Sequence, residues 1–183
     1  NRLVQETAEF MYAFATYDEF HGRFILKGAI PAQETLRAAT TINPPFELSY
    51  WHFAMQTAQK WRERAGGKRN LEWDEMIDKL SPLAYNEDHL YKDIRFTSDH
   101  MAVLGSVGIL PINKLIRDDY MKNTLHWVWD NWNWGKTWGW DYPMTAMNAT
   151  RLGEPEKAVG ALLMDKRTNT YLLNGHNYQD GRL

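Results

Sequence analysis

A chain of 183 residues with 21 basic and 23 acidic side chains and a formal net charge of -2 has room for one ordinary hydrophobic core. It offers no basic stripe for a phosphate backbone, so nucleic acid is not an expected partner. No apolar run approaches the ~20 residues that span a bilayer, and the absence of cysteine excludes disulfides and thiolate metal sites while leaving the compartment open.

Strand formers other than aromatics are scarce, so the chain reads as all-α. Leu3, Val4, Ala8, Met11, Phe14 and Ala15 recur at helical spacing and predict an amphipathic helix over 3–14. Gly22 and Gly28 bracket Phe24, Ile25 and Leu26, a short extended piece that Pro31 ends. Asn43 as cap and Pro44 as first helical residue then open a long helix, with Leu48, Trp51, Met55, Ala58 and Trp61 on one face, which Gly66 and Gly67 stop. Asn70 caps a helix that ends before Pro82. Ser98 or Asp99 is expected to cap another, carrying Met101, Val103, Leu104 and Val107 ahead of Gly108. Asp118 and Asp119 start a longer helix towards Trp132. Asp141 or Thr145 starts one through Leu152, and "LGEPEK" links it tightly to a last helix ending at Met164. About seven helices result, joined alternately by short links and long polar loops, as stacked helical hairpins would be. The tail from 168 onwards is apolar and aromatic without a terminal cap, which suggests a fragment of a larger fold.

Six of the nine tryptophans fall in "WVWDNWNWGKTWGWDYP", residues 127–143, among Asn, Asp and Gly. Packing between hairpin loops and a surface for sugar rings are both open readings, because indole is usually buried yet also stacks on pyranose C–H faces. The six histidines are scattered without an i, i+4 pair, so no metal site is expected and no cofactor is implied. Neither a Gly-x-Ser-x-Gly elbow nor a phosphate-cradling P-loop is present. Carboxylates beside aromatics remain. Glu34 in "AIPAQETL" and Glu47 in "NPPFELSYW" stand at loop-to-helix junctions, where a first-turn acid also simply complements the helix dipole. Glycoside cleavage needs a carboxylic acid for the leaving oxygen and a carboxylate to activate water or attack.

The order of "GRFILKGAIPAQE", "NPPFELSYWHFAMQTAQKW", "SPLAYNEDHLY", "SDHMAVLGSVGILP" and "GWDYPMTAMNATRLGEPEKA" resembles the C-terminal part of the six-hairpin glycosidases, nearest to glycoside hydrolase families 65 and 95. Their catalytic domain is an (α/α)6 toroid with the active site at the centre of one end. The resemblance implies that residues 1–183 are the C-terminal portion of one such domain, and that the rest of the toroid is a partner. "GAIPAQE" is similar to the family 65 Val-Ile-Gly-Pro-Asp-Glu segment, which brings the general acid of these inverting enzymes onto Glu34. "WGWDYPMTAMNATRLGEPEKA" is similar to the family 95 Gly-Trp-Ser…Ala-Arg-Leu-Gly-Asp…Ala run, which aligns Trp140. His100 sits where family 95 has Arg-His-Leu-Ser.

The departures bear on specificity. Thr35-Leu36-Arg37 follows Glu34 where family 65 has Tyr-His and an acidic-amide string, so the substrate does not carry over. The family 95 base is an Asp in a Met-Asp segment, and Glu47 is its nearest equivalent. The resemblance therefore implies an inverting glycoside hydrolase acting on an oligosaccharide or glycoside, with Glu34 as acid, Glu47 as base, and Trp51, His100, Trp138, Trp140 and Asp141 lining the sugar pocket. Phosphorolysis on the same fold and a non-catalytic carbohydrate-binding helical domain are the alternatives. No phosphate-binding residues of the phosphorylase branch are recognisable.

Overall fold

The structure is a computed structural model that describes residues 2–91 and 99–178. Roughly half of the described residues are helical. The six α-helices are α1 (Arg2–Phe14), α2 (Pro45–Arg64), α3 (Leu71–Lys79), α4 (Asp118–Asn131), α5 (Asp141–Arg151) and α6 (Pro155–Leu162). Two small antiparallel hairpins accompany them: β1 (Thr16–Asp18) with β2 (Arg23–Ile25), and β3 (Thr170–Tyr171) with β4 (Asn177–Tyr178). Among the described residues no helix is long and apolar enough to cross a membrane.

The predicted amphipathic faces meet in one core. Leu48 and Met55 of α2, Met76 of α3, Met121, Leu125 and Val128 of α4, and Tyr142 and Met144 of α5 belong to a single cluster and are almost wholly shielded from water. Methionine is frequent here because its unbranched side chain fills irregular gaps between helices. The helix α1 lies on α2, where the Trp51 indole N–H donates to the Met11 carbonyl at 2.9 Å and its ring meets Phe14 at 5.6 Å. Asn70 caps α3 as its sequence predicts, accepting from the N–H groups of Glu72 and Trp73. Its own backbone is held by the buried Gln59 side chain of α2, through bonds of 3.0 and 2.7 Å. The α5–α6 link turns at Gly153, whose φ of 75° suits a residue without Cβ.

Two local expectations give way to tertiary contacts. Asn43 does not cap α2; Pro44 occupies the cap position and Pro45 begins the helix. The Asn43 side chain instead accepts the Leu26 N–H at 2.8 Å, while its N–H donates to the Leu26 carbonyl at 2.9 Å. Asn43, at φ 54°, thus closes the long loop that follows β2. The helix expected over 101–107 is only a five-residue 3-10 turn, Ala102–Ser106, buried throughout. It is wedged between α2 and α5. A Cβ at Gly105 would meet the Phe46 ring at 3.0 Å, and one at Gly108 would meet the Met144 carbonyl at 2.7 Å. Of its two proposed caps, Ser98 lies outside the described residues and Asp99 has φ 80°, a left-handed conformation that does not lead into a helix.

Candidate active site

Glu34 stands on the loop between β2 and α2, and carboxylates pin that loop on either side of it. The Ala32 N–H donates to Glu47 Oε1 at 2.6 Å, and the Thr35 N–H donates to Asp99 Oδ2 at 2.8 Å. A Leu36 N–H to Gln33 carbonyl bond of 3.0 Å closes the turn, and Gln33 is buried. The backbone around Glu34 is therefore fixed while its side chain is exposed. Burial pushes the Glu47 carboxyl above its ordinary value, with the Ala32 N–H opposing that shift.

Glu34 lines a shallow, open surface cleft of about 430 Å3 together with Thr35, Asp99, Lys136 and Trp138. The far wall is the bend before α5. The Asp141 side chain is completely buried at the first residue of that helix, where helix N–H groups favour a negative charge. It accepts from the Trp138 N–H at 2.9 Å and from His100 Nδ1 at 3.1 Å. The Thr137 hydroxyl lies between the Asp141 carboxylate and the Asp99 carbonyl, 2.9 Å from the latter; its one proton serves one acceptor at a time.

His100 joins these parts. Its ring packs under Trp140 at 4.3 Å and Trp138 at 5.5 Å, and its Nε2 lies 3.9 Å from Asp99 Oδ1. Burial by itself lowers the imidazole pKa. The hydrogen bond to Asp141 and the charges of Asp141, Asp99 and Glu34 outweigh it, and the net shift is upward. The His100 ring, hydrogen-bonded to Asp141, thus packs against both indoles. Trp138 is half-buried and Trp140 is 42% exposed, so both offer surface to a ligand.

Of the residues expected at a sugar pocket, Glu34 and Trp138 line the cleft, while His100, Trp140 and Asp141 cluster with Trp138 and are not among the residues that line it. Glu47 and Trp51 are not among the residues that line the cleft. Glu47 faces the Glu34 loop from behind through Ala32. The Trp51 polar edge is taken up by Met11 and its ring by Phe14, because the same helical face that carries Leu48 and Met55 covers α1. Asp99, which residue spacing marks only as a helix cap, also lines the cleft. The rest of the tryptophan-rich stretch is packing. Trp132 and Trp134 are buried, and Trp127 and Trp129 rest partly covered on the core. Trp134 lies against Tyr142, whose hydroxyl donates to its carbonyl at 2.7 Å.

Among the described residues no group of three or more His, Asp or Glu side chains is arranged to hold a metal ion. No protein-family model matches the chain, and no curated protein sequence matches it.

Proposed function

We propose that this chain carries the acid side of a glycoside hydrolase site that inverts the anomeric centre, built on helical hairpins of an (α/α)6 toroid, with Glu34 as general acid. One observation carries the reading: an exposed glutamate on a pinned loop shares a cleft with an indole face and a second carboxylate. A general acid must reach a leaving oxygen held in a fixed pose. A loop anchored on both sides supplies the fixed backbone, and an accessible carboxyl supplies the reach. Trp138 and Trp140 suit the C–H faces of a sugar ring, and the buried His100–Asp141 pair keeps them in place.

Protonation by Glu34 matters most when the leaving group is a poor one. Glu34→Gln is expected to lower kcat/KM by ~10²–10⁴-fold on oligosaccharides and alkyl glycosides. Glycosyl fluorides, whose leaving group departs with little protonation, should lose far less. Equal losses on both substrate classes would remove the acid role. Lys136 in the same cleft favours phosphorolysis as the second reading, since phosphate would place its charge beside that ammonium. Turnover measured with and without inorganic phosphate separates the two: hydrolysis proceeds without phosphate, and phosphorolysis yields a sugar phosphate only with it.

A further inference from the structure

The β1–β2 hairpin borders a second recess of about 430 Å3, which shares no lining residue with the Glu34 cleft. Its ligand is therefore independent of the activity proposed there. Side chains alternate along an extended chain. Phe24 and Leu26 turn into the core, and Arg23, Ile25 and Lys27 turn the other way, where all three line the recess. Two cations thus stand on either side of a buried isoleucine. Asn43 lines the recess as well. Its Oδ1 accepts the Leu26 N–H at 2.8 Å, which fixes the orientation of the amide and leaves its Nδ2 group as a donor.

Arg23 is the decisive group. The strand register sets it directly opposite Asp18, an arrangement in which opposite charges ordinarily pair. The Asp18 carboxylate turns instead to His21, taking its ring Nδ1 at 2.6 Å and its backbone N–H at 3.3 Å. Glu19 also borders the recess, and it makes no ion pair with either cation. Arg23 consequently has no hydrogen bond or ion pair among the described residues. Its Nε is shielded from water, so the inner part of the side chain lies against the protein, while the residue as a whole is only half-buried. The Nη nitrogens are not shielded in this way, and they are the atoms that open on the recess. A guanidinium presents these two nitrogens as a planar fork that fits two oxygens of one carboxylate or phosphoryl group. An anion on that edge offsets the partly desolvated charge that Asp18 leaves unpaired.

We propose that this recess binds a small organic acid or phosphate ester through its anionic group, which the Arg23 fork holds with Lys27 and the Asn43 amide as further donors. Two cations beside Asp18 and Glu19 make no track for a polyanion, so the ligand carries its charge at one end. Ile25 and Ile42, which also line the recess, face its carbon skeleton.

The test is an NMR titration of the protein with acetate and with inorganic phosphate, each exchanged for chloride at constant ionic strength. The backbone amides, the Asn43 side-chain amide and the Arg23 Nε–H are read. Saturable shifts centred on these groups are expected with at least one of the two anions. Saturation by acetate alone assigns a carboxylate ligand, by phosphate alone a phosphoryl ligand, and by both a site for either group. Arg23→Gln is expected to weaken binding at least about tenfold. Arg23→Lys, which keeps the charge and loses the fork, is expected to weaken it nearly as much. Lys27→Gln, a change at an exposed position, is expected to weaken it roughly threefold at an unchanged melting temperature. Should Arg23→Gln fail to fold, Arg23→Lys and Lys27→Gln carry the comparison. Shifts that rise without saturation for both anions, or that centre elsewhere on the chain, overturn the proposal. So does saturable binding whose affinity is the same in the parent and in Arg23→Lys.

Discussion

At the scale of single residues, Glu34 combines a backbone hydrogen-bonded on both sides, through Ala32 and Thr35, with an exposed side chain. Neither is visible in its own sequence neighbourhood. "GAIPAQE" pointed to it by resemblance, and the N–H bonds of Ala32 and Thr35 give the physical reason that a glutamate here is held on station. Asp99 was out of reach for the opposite reason. An Asp ahead of an apolar run looks like a helix cap, and nothing in residue spacing announces a left-handed backbone. His52 shows the same limit. It sits on the α2 face that was read as apolar, and it is 1% exposed. Burial, with the Lys114 charge adding and Asp78 opposing, lowers its pKa from 6.5 to about 4. The folded protein thus keeps His52 neutral in a range where the unfolded chain protonates it. Its contribution is intact above pH 6.5, falls as pH drops, and levels off below about 4, amounting to roughly 3 kcal/mol at the full shift. Urea unfolding of the parent and His52→Gln at several pH values between 7 and 4 checks this. The variant should lose less stability than the parent across that interval, and parallel losses would show that His52 does not titrate as described.

At the scale of elements, helices with strong periodicity and a local cap were legible, and α1, α3 and α6 begin and end close to where their residues predict. The long α2 was legible apart from its first turn, where Asn43 was drawn off to Leu26 across the loop. The segment over 101–107 failed as a helix because its neighbours set its backbone. Gly105 and Gly108 let it pass between α2 and α5 at distances that leave no room for a side chain. Glycine at 108 is thus a packing requirement. Gly108→Ala, which would drive a Cβ against a backbone carbonyl, is expected to cost ~1–3 kcal/mol or more, measured as a drop in the denaturation midpoint. A variant as stable as the parent would mean that the two segments are not so closely apposed. The loop anchor at Glu47 is an element-scale device too. Glu47→Gln keeps an acceptor for Ala32, whereas Glu47→Ala leaves that N–H without its partner. The alanine variant alone is expected to lose about 1–3 kcal/mol and to loosen the Glu34 loop, seen as faster amide exchange at Ala32. Equal exchange in the two variants would remove the anchoring role.

At the scale of the whole molecule, helical hairpins such as α5–α6 carry loops at their ends, and the loop before α2, the turn at Asp99 and the bend before α5 converge on one cleft. These three loops are far apart in the chain. Long-range bonds join them: Thr35 to Asp99, Thr137 to the Asp99 carbonyl, and His100 to Asp141. Of the six tryptophans in residues 127–143, four therefore pack in or on the core, Trp138 lines the cleft and Trp140 is exposed over His100, a division that a count of tryptophans conceals. The proposed activity is cleavage of glycosidic bonds by single displacement with Glu34 as acid. Proton NMR of the sugar released in the first minutes of turnover, recorded before the anomers equilibrate, tests this most directly. The anomer opposite to the substrate's is expected to appear first, and Glu34→Gln is expected to release almost none from an unactivated glycoside. First appearance of the substrate's own anomer, or release by Glu34→Gln at the parental rate, would contradict it.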